Sequence, residues 1–263
     1  MTRGGPADGA EPTFITSRDN AQLKSLRKLA QDPTAYREQG QVWLEGDHLC
    51  RAARERGWTP ALAVFAESRW AGARTEWGGL AAPVVVVPDR LFDSVSGLGS
   101  PSSMGFVMPL PPAVPLATSA PSVVLDRLQD AGNVGSILRS AAAFGFRQVL
   151  ALKGTAALWS PKVLRAGMGA HFALQLREAL APDDLQALEV PWLATSSHGG
   201  ELLHASALPW PCAWLFGHEG QGVSTALEQR AAFRIRIGQP GGEESLNVAA
   251  AAAICLHASA VSH

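Results

Sequence analysis

The residues best suited to chemistry fall in three short segments of the second half of the chain. The first runs from Asp126 to Gly145 and holds Asn133 and Arg139. A guanidinium stays protonated below about pH 12. Arg139 can therefore stabilise a phosphate or a developing oxyanion, but it is a poor general base. Taken alone, an exposed helix residue with no special role is the plainer account of it. Asn133 can orient that cation or a sugar hydroxyl, and it is also suited to cap a helix start. Gly132 and Gly135 either let backbone approach a ligand or mark a plain turn. The second segment is Gly217-His-Glu-Gly-Gln-Gly222. Its glycine order is neither the dinucleotide fingerprint nor a phosphate-binding loop. Glu219 in its midst repels phosphate and favours a cationic or hydroxyl-bearing ligand; a carboxylate favoured by a helix start is the plainer alternative. His218 reads as an exposed loop residue. The third segment runs from Ile237 through Pro240, Gly241 and Gly242 into an alanine-rich helix. Ser245 stands where an N-cap belongs. Asn247, a poor helix former in the first turn, marks a site.

The elements around these segments alternate in kind. Val123–Leu125, Gln148–Leu152, Phe172–Leu176, Trp192–Thr195, Ala213–Phe216 and Phe233–Ile237 read as short apolar strands. Helices are expected at Asn133–Phe144, Pro161–Gly167, Ser224–Arg230 and Leu246–Ser259, with a short one at Leu185. Such alternation predicts an α/β fold, a mostly parallel sheet with helices on both faces. Ligands of such sheets bind beyond the carboxyl ends of the strands, where all three segments lie.

Ahead of this half, five prolines between Pro109 and Pro121 predict a semi-rigid linker. The front half predicts a smaller α/β domain. A helical pattern begins at Ser17, strands fall at Gln41–Glu45, Ala61–Ala66, Val84–Val87 and Gly105–Met108, and a helix spans Gly46–Arg56. The expected organisation is a disordered tail over 1–12, a domain over 13–108, the linker over 109–121 and a second domain over 122–263. Between Arg18 and Arg37 there are five basic and two acidic residues, and Lys24, Arg27 and Lys28 sit beside Leu23, Leu26 and Leu29. That face is a candidate phosphate grip, or simply a solvated helix face. Eight tryptophans are scattered and read as core.

Of the 263 residues, 47% are hydrophobic and 17% charged, enough apolar material for a real core. The net charge of −1 gives no global basic field, so any nucleic-acid contact must be a local patch. Cys50, Cys212 and Cys255 are scattered, odd in number and without a C-x-x-C spacing, which argues against a disulfide framework or a zinc site. The amino terminus lacks a secretory apolar stretch and no run is long enough to cross a bilayer, so a cytoplasmic protein without membrane contact is expected.

Taken together, the three segments resemble the SpoU (TrmH) family of the SPOUT methyltransferase superfamily. The first motif resembles Asn133-x-Gly135-x-x-x-Arg139 through Phe144-Gly145, the second Phe216-Gly-x-Glu219-Gly-x-Gly222, and the third the stretch from Ile237 to Ser245-Leu-Asn-Val248. Ile15 to Asn20 and Ser100 to Gly105 resemble that family's amino-terminal RNA-binding domain. The resemblance implies an S-adenosyl-L-methionine-dependent transfer of methyl to an RNA ribose 2′-hydroxyl, with ribosomal RNA the first expectation and transfer RNA the second. It also implies a carboxy-terminal trefoil knot and a homodimer. Arg139, Asn133, Glu219, Ser245 and Asn247 would be catalytic. Thr195, Gly217, Gly220, Ile237 and Leu246 would line the cofactor, and Arg18, Lys24, Arg27 and Lys28 would hold RNA. No metal is expected, and no residue stands out as the proton acceptor. This chain departs from the family where Gly238-Gln239 replaces the usual Pro-Met, and where Gly167 replaces a serine common near Arg165. A non-catalytic RNA-binding protein of the same fold is the alternative. A nicotinamide-dependent dehydrogenase fits poorly, because no G-x-G-x-x-G opens a helix.

Overall fold

The computed structural model describes residues 11–97, 102–241 and 245–263. The expected tail over 1–12 and the Ser100–Gly105 motif therefore lie largely or partly outside the described residues, as does Gly242 of the third segment. The chain divides into two compact units, one reaching to Pro111 and taking in Trp159–Pro161, the other comprising Pro112–Leu158 and Lys162–His263.

The first unit runs β1 (Thr13–Phe14), α1 (Ala21–Gln31), α2 (Ala35–Gln39), β2 (Gln41–Glu45), α3 (Asp47–Glu55), β3 (Leu62–Ala66), α4 (Glu67–Trp77), β4 (Val84–Val87), α5 (Asp89–Val95) and β5 (Met104–Pro109). Its five strands lie in the order β1-β4-β3-β5-β2. β5 runs antiparallel to both β3 and β2, so this sheet is mixed. α1 starts four residues later than the periodicity suggests. Asn20 caps it, its Oδ1 accepting from the amides of Gln22 (2.8 Å) and Leu23 (3.4 Å), so Ser17–Asn20 stays outside the helix. Leu23, Leu26 and Leu29 are buried as the pattern requires.

The second unit runs β6 (Ser122–Asp126), α6 (Ala131–Ala143), β7 (Gln148–Leu152), α7 (Pro161–Gly167), β8 (Gln175–Leu180), β9 (Trp192–Thr195), β10 (Glu201–Leu202), β11 (Ala213–Gly217), α8 (Thr225–Glu228), β12 (Phe233–Arg236) and α9 (Val248–Val261). Seven strands lie in the order β10-β12-β9-β11-β6-β7-β8, and each pairing is parallel. The central strands β6, β7 and β11 are buried along their whole length, as a sheet covered on both faces demands. Because the strands are parallel, Asp126, Thr195, Gly217 and Arg236 end on one edge.

Three local expectations shift. β8 begins at Gln175, because Phe172 belongs to a 3-10 turn over Ala170–Ala173. As an edge strand β8 is half exposed and its Gln-Leu-Arg-Glu-Ala-Leu run carries little apolar signal. The stretch read as a linker is tied down at its carboxyl end. Gln148 brackets Ala117, its Oε1 accepting from the Ala117 amide at 3.2 Å and its Nε2 donating to the Ala117 carbonyl at 2.6 Å. The Arg147 amide also donates to the Pro121 carbonyl. The last helix starts at Val248 rather than Leu246, for a reason that lies in the site.

Candidate active site

The three segments converge through one chain of side chains. Asn247 caps α9, its Oδ1 accepting from the amides of Ala249 (2.9 Å) and Ala250 (3.3 Å). That fixes the amide's orientation, and its Nδ2 donates to Asn133 Oδ1 at 3.0 Å. Asn133 Nδ2 in turn donates to Glu219 Oε1 at 3.3 Å. Each amide's direction follows from the one before it, so the orientation does not rest on distinguishing oxygen from nitrogen. Glu219 also accepts from the backbone amides of Asp130 (3.1 Å) and Gln129 (3.3 Å), which pins the second segment to the first. Partial burial pushes the Glu219 carboxyl up. Hydrogen bonds from its own amide, those of Asp130 and Gln129, and Asn133 outweigh burial and hold it below its ordinary value. An ionised carboxylate of lowered basicity serves as an anchor for donors better than as a base.

Both expected caps belong to other residues. α6 is capped by Asp130, whose Oδ1 accepts from the Asn133 amide at 2.7 Å, so the Asn133 side chain is free to reach the other two segments. α9 is capped by Asn247, so Ser245 is no cap; it lies exposed before the helix. Sequence reading also passed over Asp126. Its carboxylate, buried at the end of β6, accepts from Arg127 Nε (2.9 Å) and from the Ser224 amide (2.7 Å). The signal was there: a carboxylate at the last position of a buried parallel strand. Arg127, in the left-handed region at φ 62°, also donates to Gln221 Oε1 at 3.0 Å. With two partners it braces the second segment.

Arg139 is exposed on α6, and among the described residues no side chain or carbonyl holds it. Six helical residues separate it from Asn133, roughly 9 Å along the axis and roughly 240° around it. The fold of one chain therefore does not bring it into the Glu219–Asn133–Asn247 chain. Gly135 is required by packing, since a methyl group there would collide with Ala166 and Gly167. Gly217 is required because the second segment folds back on its own strand, and a Cβ would overlap Gly222 and Val223. Thr195 sits at the same sheet edge, its Oγ1 donating to the Leu215 carbonyl at 2.9 Å. Gly220 donates its amide to His218 Nδ1 at 3.0 Å, which gives His218 a turn-holding part. Leu246 is exposed and Ile237 half-buried just past β12.

In the first unit, the candidate grip is largely engaged with itself. Arg27 donates from Nε to the Ser94 carbonyl and from Nη2 to Ser94 Oγ, both at 3.1 Å. Lys28 pairs with Glu38 at 2.5 Å and Lys24 with Asp19 at 3.4 Å. Arg18 is exposed with no such partner among the described residues. It lines a groove of about 360 Å³ with Thr16, Arg90, Leu91 and Ser94. Among the described residues no cluster of side chains could hold a metal ion, and no helix is long and apolar enough to cross a membrane.

Fold and site together define an α/β protein whose second unit gathers three loops at one end of a parallel sheet, around amide and carboxylate groups instead of a phosphate loop. Residues 120–257 match the SpoU rRNA Methylase family. An uncharacterized tRNA/rRNA methyltransferase of Synechocystis is 31% identical over 258 residues, 92% of each chain. The 23S rRNA (guanosine(2553)-2′-O)-methyltransferase RlmP of Bacillus subtilis is 29% identical over 92% of this chain and 97% of its own. Among solved structures, an AdoMet-bound rRNA methyltransferase from Sinorhizobium meliloti superposes with a TM-score of 0.81 at 26% identity, covering 94% of this chain and 97% of that one. The chain belongs to the SpoU rRNA methylase family.

Proposed function

We propose that the protein transfers a methyl group from S-adenosylmethionine to a ribose 2′-hydroxyl of ribosomal RNA in the cytoplasm. The observation that carries this is the Glu219–Asn133–Asn247 chain, which fastens the three segments into one site in a member of this family. The residues fit the cofactor. A carboxylate suits a cation and not a phosphate. The buried side-chain oxygen of Gln239, without a partner among the described residues, suits a nucleoside amine. Gly217, Gly220, Ile237, Leu246 and Thr195 would hold the group, inside the trefoil knot the family resemblance implies.

When bound, the cofactor supplies an electrophilic methyl group on a sulfonium. Asn133 and Asn247, already locked in direction, would orient the ribose; Ser245 would fix the third segment over it. Arg139 would clamp the RNA phosphate or the alkoxide as its proton leaves. Much of the rate then comes from positioning.

Arg139 supports a homodimer. The exposed residues of α6 are Gly132, Ser136, Arg139 and Ala143, and those of α9 are Ala250, Ile254, His257 and Val261. Each set follows helical spacing and forms one stripe. Ile254 and Val261 are 42% and 67% exposed, and the two helices pack on each other. A second copy seated on these stripes would bury the apolar groups and carry Arg139 into a shared seam, making turnover depend on the dimer. Arg18 would meet RNA on the first unit, with Lys24 and Lys28 exchanging their acidic partners for phosphate, while Arg27 stays bound to Ser94.

The test is methyl incorporation into ribosomal RNA from cells lacking this gene, with radiolabelled cofactor and site mapping by mass spectrometry. One ribose 2′-O-methyl per RNA is expected. Incorporation on a base, or only into transfer RNA, would overturn the assignment. A monomer by light scattering with full activity would overturn the dimer.

A further inference from the structure

Gln239 stands three residues past β12, on the edge where Thr195 and Gly217 also end. The loop is held against the β10 segment: a Cβ on neighbouring Gly238 would lie 3.4 Å from Leu202 Cδ2. Gln239 Oε1 is closed off from solvent and has no hydrogen-bond partner among the described residues. Buried side-chain oxygens are nearly always paired, so such an acceptor calls for a donor from a ligand. It is also a local departure, because the resemblance places methionine here.

We propose that Gln239 is a specificity-determining residue that reads the adenine of the cofactor, its Oε1 accepting a hydrogen bond from the exocyclic amine. This rests on the cofactor reading above. The chemistry selects adenine among the donors S-adenosylmethionine offers. A carboxamide presents an acceptor and a donor side by side, matching the amine and adjacent ring nitrogen of an adenine edge. The α-ammonium is a cation, and a neutral amide compensates poorly for its desolvation. Ribose hydroxyls are served by almost any polar neighbour and would not need a long, oriented amide. Methionine can pack against the base but cannot read its edge.

The experiment is calorimetric binding, which involves no turnover. The probes are S-adenosylhomocysteine and its 6-deamino analogue, in which hydrogen replaces the amine and leaves a rotated carboxamide no carbonyl to pair with. The wild type should prefer the adenosyl compound by tenfold or more, since a site that pairs a polar group rejects an analogue that leaves it unpaired. In Gln239→Met the preference should collapse to about twofold, through loss of adenosyl affinity, with the affinity of the deamino analogue nearly unchanged. Gln239→Ala should do the same while removing the packing, and guards against a methionine that misfolds the loop. Equal losses for both compounds would make Gln239 a structural residue and overturn the proposal, as would a preference that survives both substitutions. A wild-type protein that binds neither compound would instead overturn the cofactor reading itself.

Discussion

The two units put their polar side chains to different use. In the first unit two of the three cations on α1 answer to acidic residues within ten positions, and the third reaches a serine 67 residues away. Lys28 finds Glu38, Lys24 finds Asp19 and Arg27 clamps α1 to α5 through Ser94. In the second unit the partners are far apart in sequence. Asn133 and Asn247 are 114 residues apart and Asn133 and Glu219 are 86 apart. The difference teaches that density of charge is a weak guide to a site. A run of basic residues attracts acidic neighbours and neutralises itself on the surface, where solvent screening leaves each pair little net effect. A few uncharged amides fixed from three directions make a geometry that a substrate can use.

The largest effect expected comes from the one cation of the second unit's α6 that the network leaves out. Arg139→Ala should reduce single-turnover methyl transfer by about a hundredfold to a thousandfold, on the order of 3 kcal/mol or more, while calorimetric cofactor binding stays near normal. Lysine should restore little, since it keeps the charge and loses the planar fork. Arg127, already engaged with Asp126 and Gln221, should behave differently: its loss should weaken the fold of the second segment and cofactor binding together. Near-normal turnover in Arg139→Ala would erase the contrast between an engaged and an unengaged cation.

Most of the second unit's framework was legible because buried parallel strands are short apolar runs between turn residues, and β7, α7 and β9 fall where that pattern puts them. β8 slipped because an edge strand need not be apolar on both faces. β1 and β10, two residues each, are too short to show periodicity. The mixed order of the first sheet rests on β5 returning beside β2, a long-range pairing that no local pattern encodes. In the site, residue types were legible and partners were not. Asn133 and Ser245 both stood where caps belong, yet Asp130 and Asn247 cap those helices. A capping preference says which side chains are able to accept an amide, not which does. Only the folded chain shows that Asn133 is free because Asp130 is not.

Acid should separate the two units next. His171 is fully buried behind Gly167, and burial pulls its pKa from 6.5 down to about 4, partly offset by its Nε2 hydrogen bond to the Leu158 carbonyl. The folded state therefore holds it neutral, whereas the unfolded chain takes up a proton at about 6.5. Between those values the unfolded state binds more protons, so stability is full above pH 6.5 and falls as pH drops toward 4. At about 1.36 kcal/mol per pH unit across that window, the loss is on the order of 3 kcal/mol. No buried histidine lies in the first unit among its described residues. Urea unfolding at pH 7 and pH 4.5 should show this drop in the wild type and a flatter response in His171→Gln. An identical drop in both would assign the acid sensitivity elsewhere.

The smallest effects should sort the cations of the first unit into two kinds. Arg27→Ala removes two hydrogen bonds that tie α1 to α5, and should lower stability by about 1–2 kcal/mol with little change in the salt dependence of RNA binding. Arg18→Ala and Arg90→Ala remove guanidinium groups that have no partner among the described residues and share one groove with Thr16. Each should leave stability within about 0.5 kcal/mol, as surface substitutions usually do. Each should lower the slope of log affinity against log salt by about 0.7–0.9, the release of one counterion. Lys24 and Lys28 should fall between, because an exposed pair with Asp19 or Glu38 is easily exchanged for a phosphate. The measurement is fluorescence anisotropy of a labelled RNA fragment across a salt series, beside chemical denaturation of each variant. If Arg27→Ala flattened the slope and Arg18→Ala did not, the RNA face would be the solvent side of α1 rather than the groove beside β1. The distinction between structural and free cations would then fail in the unit where it is easiest to test.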